Sequence, residues 1–230
     1  NKEVKIKHVK KILIFIGSPG SGKGTQAKRI AEKFGYTHLS TGALLRRLSE
    51  RENLQKRVRQ ALEFMRKGHL VPDWLIYYVV FPEIDKILLK KEGGVIFDGA
   101  IRNLKQAKNF QAHFKKINLE NQILALQIKI TNKEAFDRLT KRRVCGKCEE
   151  IIPWTSATSK MKECPKCGGK LKLRKDDNLA VIKRRIKVQG TKAQKPILDF
   201  YRQRKMLKAI DGMKTIEEVM LLVENEIINS

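Results

Sequence analysis

An α/β protein built on a parallel sheet is what this sequence predicts, and three observations carry the prediction. Short apolar runs rich in β-branched residues (ILIFI, VIF, ILALQI) recur along the chain. Stretches of helical spacing separate them, as crossovers between parallel strands do. The first run ends in the glycine-rich GSPGSGKGT, which passes directly into a helix.

Taken in order, KKILIFIG (10–17) is a short buried strand that stops at the glycine-rich turn. GKGTQAKRIAEKFG (22–35) is a helix, with Ala27, Ile30, Ala31 and Phe34 on one face and Gly35 as its stop. YTHLS (36–40) is a second short strand. Residues 41–69 form one charged helical stretch whose apolar positions are too sparse for a deep core, hence a small lobe. PDWLIYYVVFPEIDKILLKK (72–91) is a strongly apolar helix, bent or interrupted at Pro82. GGVIFDG (93–99) and QILALQIKI (122–130) are buried strands. TNKEAFDRLTKRR (131–143) opens with a capping-box pattern, Thr131 with Glu134. DDNLAVIKRRIKVQ (176–189) restarts a helix with acids at its N-terminal end. KPILDFYRQRK (195–205) continues helically after Pro196. KAIDG (208–212) is the last strand and TIEEVMLLVENEI (215–227) a closing amphipathic helix.

At 230 residues and 41% hydrophobic content, the chain suits one globular domain with excursions and a real core. No stretch approaches the ~18 consecutive apolar residues of a membrane span. The apolar run near the start reads as a strand, with no small-residue cleavage site after it, so no signal peptide is expected. The net charge of +26 has two readings. One is attraction to polyanions such as RNA, DNA or anionic lipid. The other is a lysine-rich surface set by compositional bias. Lysines are scattered, as in KKILLKKEGG and QAHFKKINLE, and a scattered excess is not a patch, so the second is favoured. The expected partners are then small anions, with at most weak, nonspecific nucleic-acid association, and no membrane.

All four cysteines lie in CGKCEEIIPWTSATSKMKECPKCGGK, as two C-x-x-C pairs: Cys145 with Cys148, and Cys164 with Cys167. Two such pairs at a ribbon-length separation signal a tetrahedral thiolate site for Zn2+, closed and therefore structural. The competing redox reading is weaker, because redox motifs come singly beside a βαβ unit. A metal-binding thiol set places the protein in a reducing compartment, the cytoplasm.

GSPGSGKGT fits the phosphate-loop pattern, with Gly17, Gly22 and Lys23 in place, Gly24 in the hydroxyl position and Thr25 after it. Glycines let successive N–H groups converge on a phosphate, and the helix adds its positive end. Lys23 supplies a mobile point charge for the outer phosphates. Asp98 ends a buried strand, where parallel sheets bind ligands, and an acid there suits Mg2+ held through water. Arg138 and Arg142 stand four apart on one helical face. Arg174 flanks the cysteine segment, Arg185 follows on the next helix, and Arg46 and Arg102 follow the second and third strands. Planar, permanently charged guanidinium groups suit a transferring phosphoryl.

GSPGSGKGTQAKRIAEKFGYTHLSTGALLR, LVPD, FDGAIRNLKQA, DRLTKRRVCGKC and RKDDNLAVIKRRI together resemble the adenylate kinases, in the long form whose lid carries a zinc ribbon. The resemblance spans nearly the whole chain. It implies a P-loop NTPase-type sheet flanked by helices and transfer of the γ-phosphoryl of MgATP to AMP, giving two ADP, in a monomer. It divides the chain into core (1–40, 72–143, 176–230), a small helical monophosphate-binding lobe (41–71) and a zinc-ribbon lid (144–175). By position it assigns ATP to Gly17, Gly20, Gly22, Lys23, Gly24, Thr25, Arg138 and Arg142. It assigns AMP to Thr41, Gly42, Arg46, Val71, Gly99, Arg102 and Gln106, with Thr41 and Gln106 contacting the base. Lys23, Arg46, Arg102, Arg142, Arg174 and Arg185 become catalytic, Asp98 the Mg2+ carboxylate, and Asp176 and Asp177 lid-closing partners of arginines. Five residues depart from the family pattern: Ala43 (Asp), Ala100-Ile101 (Phe-Pro), Ala180 (Glu) and Glu149 (Gly). A residue is also inserted before Pro196. Losing the Phe wall and the proline's fixed φ predicts weaker AMP binding more than slower transfer. The alternatives are a kinase for another nucleoside monophosphate, or a P-loop ATPase or inactive relative that binds RNA.

Overall fold

The computed structural model describes residues 10–89, 93–174 and 177–230. Its centre is a five-stranded sheet of β1 (Ile12–Ile16), β2 (Thr37–Ser40), β3 (Val95–Asp98), β4 (Ile123–Lys129) and β8 (Leu207–Asp211). The order is β2-β3-β1-β4-β8 and every pairing is parallel. Both faces of such a sheet must be covered, which is why its strands read as unbroken apolar runs. Ile12, Ile14 and Ile16 enter one core cluster while Leu13 and Phe15 enter the other. The second face is closed by α1 (Lys23–Phe34) and α9 (Ile216–Ile228). The first is closed by α2 (Thr41–Ser49), α3 (Lys56–Arg66), α4 (Asp73–Leu89), α5 (Leu104–Lys116) and α8 (Thr191–Gln203). Phe97, Phe110 and Phe114 are fully buried there in tilted and edge-on contacts.

Beyond β4, α6 (Asn132–Lys141) leads into a small antiparallel sheet of β5 (Arg143–Cys145), β6 (Ile151–Ile152) and β7 (Leu171–Leu173), order β6-β5-β7. The chain returns through α7 (Leu179–Gln189).

Several expectations are corrected. Residues 41–69 are two helices, and Leu45, Leu48, Val58, Ala61 and Leu62 belong to the main core cluster, so their spacing is not too sparse to bury. The helix of α4 is not interrupted at Pro82. The carbonyl four residues earlier loses its donor there, but Tyr78 is exposed and water can serve it. Thr131 caps α6 by accepting from Glu134 N, yet the Glu134 carboxylate accepts from Arg138 instead of closing the box. The complete capping box is at Thr215 and Glu218 of α9. Asn178 caps α7, whose first residue is Leu179, and α8 begins five residues before Pro196. α5 is absent from the sequence-predicted elements, although its cap Asn103, which accepts from Gln106 N, is a standard N-cap residue.

Candidate functional site

Parallel strands bring their C-terminal ends to one edge, and there β1 and β3 lie side by side with Phe15 opposite Asp98. The loop after β1 turns through two left-handed glycines, Gly20 (φ 83°) and Gly22 (φ 91°), and α1 begins at Lys23. A Cβ on Gly20 would sit 2.9 Å from the Ala135 carbonyl oxygen, so this loop also needs glycine to pass α6.

Lys23 Nζ donates to the carbonyls of Gly17 (2.7 Å) and Ser18 (2.9 Å). Burial lowers its pKa from 10.5 to about 8; Asp98 opposes this, while Arg102, Arg185 and Arg142 add to it. Asp98 stands against the loop, its Oδ2 within 3.1 Å of a Cβ placed on Gly24. Burial alone would raise its pKa, but neighbouring His38, Lys23 and Arg102 hold it below the usual carboxylate value. An ionised carboxylate against the phosphate loop fits a water-held Mg2+. His38 Nε2 lies 3.7 Å from Asp98 Oδ2, too far for a hydrogen bond, so their interaction is electrostatic.

One cavity of about 800 Å3 gathers most of the sequence-predicted residues. Gly17, Gly20, Gly22, Lys23, Gly24 and Thr25 line it from the loop, and Asp98 and Gly99 from the end of β3. Arg46 and Gly42 come from α2, Arg138 from α6, Arg185 from α7, and Arg102, Arg142 and Arg174 from segments between elements. Thr41, Val71 and Gln106 do not line it; all three are buried. Asp176 lies outside the described residues.

Two networks hold Arg142, Arg185 and Arg102. Asp177, with a fully buried side chain, accepts from Arg142 Nε (2.8 Å) and Nη2 and from Arg185 Nη1 (3.0 Å). Arg102 donates from its backbone N to Gln106 Oε1 (2.7 Å), from Nε to the Gly99 carbonyl (2.8 Å) and from Nη1 to Gln189 Oε1 (2.9 Å). Gln106, only 2% exposed, sends Nε2 to Asp73 Oδ1, which also accepts from Asn103 Nδ2. Both ends of the Gln106 amide are thus engaged inside the protein. Ala100 and Ile101, where the family pattern has an aromatic and a proline, are buried in the main core cluster. The loop they belong to is pinned by Arg102 instead of by a fixed φ. Asp73 and Gln189 carry no sequence signal for this; Asn103 is legible as a cap.

The cysteine segment forms a second centre. The four sulfurs lie within 4.8 Å of one another, with Cys145–Cys167 at 3.4 Å and Cys148–Cys164 at 3.7 Å. A tetrahedral zinc with ~2.3 Å bonds needs edges of about 3.8 Å, so the set could hold one with small adjustment. The backbone N–H groups of Cys148 and Lys147 donate to Cys145 Sγ and bring its thiol down to about 6. At Cys148 the Glu150 backbone acts to lower the pKa, but the surrounding sulfurs outweigh it and push the thiol up to about 12. Glu149 takes the left-handed conformation (φ 57°) at the knuckle where the family pattern has glycine. The next residue, Glu150, meets Lys28 of α1 at 2.5 Å, tying this segment to the core.

A family model for adenylate kinase matches residues 15–206 of the chain. An adenylate kinase of Archaeoglobus fulgidus is 36% identical over 214 residues, covering 92% of this chain and 95% of the relative. One from Thermodesulfovibrio yellowstonii is 36% identical over 209 residues, with 90% and 94% covered. One from Carboxydothermus hydrogenoformans is 35% identical over 214 residues, with 93% and 97% covered.

Proposed function

The chain belongs to the adenylate kinase family, and from that premise we propose how its residues divide the work. The reaction is reversible transfer of the γ-phosphoryl of MgATP to AMP, giving two ADP. The observation that carries the division is the convergence of Lys23, Asp98, Arg46, Arg102, Arg138, Arg142, Arg174 and Arg185 on one cavity.

The phosphate loop receives the ATP phosphates on its N–H groups, with Lys23 at the outer ones. Arg138 lies against the ATP adenine. Arg46 and Arg102 clamp the AMP phosphate, and Thr41, Gly42, Val71, Gly99 and Gln106 shape the acceptor chamber. In transfer, an AMP phosphate oxygen forms a new bond to the γ-phosphorus as the bond to the ADP oxygen breaks. Little covalent chemistry is left to the protein beyond alignment and charge. Arg142, Arg174 and Arg185 spread that charge, and the Asp177 tie fixes two of them before substrate arrives. Asp98 would hold Mg2+ through water, and a bound ion would supply charge to neutralise phosphate oxygens. Asp176 and Asp177 would serve lid closure by pairing with arginines. Cys145, Cys148, Cys164 and Cys167 would hold a structural zinc that stiffens a segment too small for a core of its own. A rigid lid excludes the water that would otherwise hydrolyse ATP.

In this reading 1–40, 72–143 and 176–230 are core, 41–71 the acceptor lobe and 144–175 the lid. The protein works as a cytoplasmic monomer, with weak, nonspecific attraction to nucleic acid from its charge. No described helix is long and apolar enough to cross a membrane. The test is ADP formation from ATP plus AMP beside ATP alone. Turnover that depends on AMP is expected; hydrolysis of ATP without AMP at the same rate would overturn the reading.

A further inference from the structure

Building on the kinase reading, we propose that Trp154 is a specificity-determining residue of the donor site, where its indole stacks on the base of ATP. Trp154 is 41% exposed, and it lines the cavity together with Ile151, Pro153 and the run to Thr158. An indole left partly exposed on the wall of a cavity presents a flat apolar face to whatever binds there.

The turn that carries Trp154 is fixed, and one cation stands against its ring. Its turn is stapled by Thr158, whose Oγ1 donates to the Pro153 carbonyl at 2.5 Å and accepts from Thr155 N at 2.9 Å. The Arg143 guanidinium stands 5.3 Å from the indole centre, within cation–π range, and is itself tied to the Lys141 carbonyl at 2.7 Å. Arg143 opens β5 two residues after the end of α6, the helix that carries Arg138, so Trp154 belongs to the donor end of the cavity and not to the α2–α3 end.

Chemistry decides which part of the nucleotide meets it. The arginines and Lys23 take the charged phosphates, whereas a neutral π-face suits the uncharged aromatic base. Arg138 offers a second flat surface, locked by Glu134 Oε1 at Nε (2.6 Å) and by the Gly212 carbonyl at Nη2 (2.9 Å). A base held between a fixed guanidinium and an indole is recognised by its area and edge, so purine triphosphates are preferred over pyrimidine ones.

The experiment compares Trp154→Ala, Trp154→Leu and Trp154→Phe by calorimetric binding of ATP, CTP and inorganic tripolyphosphate, and by steady-state kinetics. Zinc content and Tm are checked for each variant. Alanine and leucine variants are expected to bind ATP about tenfold more weakly, with tripolyphosphate and the KM for AMP unchanged. The phenylalanine variant retains most of the affinity. In a Trp74→Phe background, where Trp154 is the only tryptophan, ATP should quench its fluorescence more than tripolyphosphate does. Equal losses for ATP and tripolyphosphate would overturn the proposal, since the indole would then be shaping the lid and not touching the base. Unchanged ATP affinity in the leucine variant, with zinc and Tm intact, would overturn it as well. ATP affinity is measured without AMP, so failure of the kinase reading would show separately, as ADP formation indifferent to AMP.

Discussion

Lys23 is held between burial, which favours its neutral form, and Asp98, which favours its charge; the outcome is a pKa near 8. ATP phosphates bind the protonated ammonium, so affinity should be full below pH 8 and fall above it. The fall is about tenfold per pH unit until the bound-state pKa is reached. Folding has the opposite sign. Between pH 8 and the ordinary lysine value of 10.5 the unfolded chain holds the proton and the folded chain does not, so this group's contribution to stability rises with pH. Lys23→Met should erase both dependences and cost on the order of 10²–10³ in kcat. ATP titrations and melting curves from pH 7 to about 10 on both proteins check this; an identical pH slope in the mutant would contradict it. The loop at Asp98 gives a second prediction. Ala100 and Ile101 look, from sequence, like a lost wall and a lost turn constraint. In the fold Ala100 is 1% and Ile101 5% exposed, and Arg102 pins the loop through three hydrogen bonds. The Ala100→Phe, Ile101→Pro variant should therefore overpack the core, losing about 1–3 kcal/mol of stability, and should not improve the KM for AMP. Denaturant unfolding and AMP kinetics decide; a tighter KM at full stability would restore the sequence-based account. Residues such as Lys23, Asp98 and the arginines were legible because their chemistry is local to a motif. Asp73 and Gln189 were not, because each acts through a partner 30 or 87 residues away, Asn103 and Arg102 respectively.

Strands were easier to read than helices because a buried parallel strand is a run, whereas a helix needs a phase. The 41–69 stretch carries enough charge to mask the burial of Leu45, Leu48 and Leu62, and its break into two helices has no proline or glycine to mark it. The long α4 shows the reverse error, since Pro82 signals a break that exposed backbone makes affordable. The β5–β6 hairpin holds two functions that can be separated experimentally. The Glu150 backbone carbonyl accepts from Cys145 N at 2.9 Å, completing the knuckle, while its carboxylate reaches Lys28. Cys164→Ser should lose zinc and lower Tm, with the chemical step at low temperature little changed. Glu150→Gln keeps the backbone of the knuckle and removes the tie to Lys28 of the core together with the longer, exposed pair to Lys166 (3.8 Å). An exposed ion pair is worth about 0–1 kcal/mol, so the lid equilibrium should shift by no more than about fivefold. The expected result is retained zinc, unchanged Tm and a modest rise in the KM for ATP that high salt abolishes. Zinc loss in Glu150→Gln, or a Cys164→Ser protein that loses zinc without losing Tm, would collapse the distinction.

At the scale of the whole molecule, a net charge of +26 acts on every anion that approaches, but it acts through two different populations of cations. The cavity arginines are partly or largely buried and engaged with Asp177, Gln189, Glu134 and backbone carbonyls. The lysines are for the most part exposed and spread over nearly every helix. Exposed charges are screened within a Debye length of about 8 Å at physiological ionic strength, whereas buried ones are screened much less. Salt should therefore separate the two populations. Any nucleic acid that binds would meet the lysines, and its affinity should fall steeply between about 50 and 200 mM salt by counterion release, with no preference between homopolymers. ATP meets the cavity, so its Kd should rise far less over the same range, although its association rate should slow as long-range steering is lost. A polymer bound on the outer lysines is also too large for a cavity of about 800 Å3. Saturating RNA at low salt should then leave the KM for ATP within about twofold, while a small phosphate competitor such as tripolyphosphate raises it. Fluorescence anisotropy on labelled homopolymers, beside ATP kinetics with and without RNA, measures both arms. RNA binding that persists at physiological salt, discriminates between sequences or competes with ATP would place a specific nucleic-acid site at the cavity mouth and overturn the assignment of the charge to a diffuse surface.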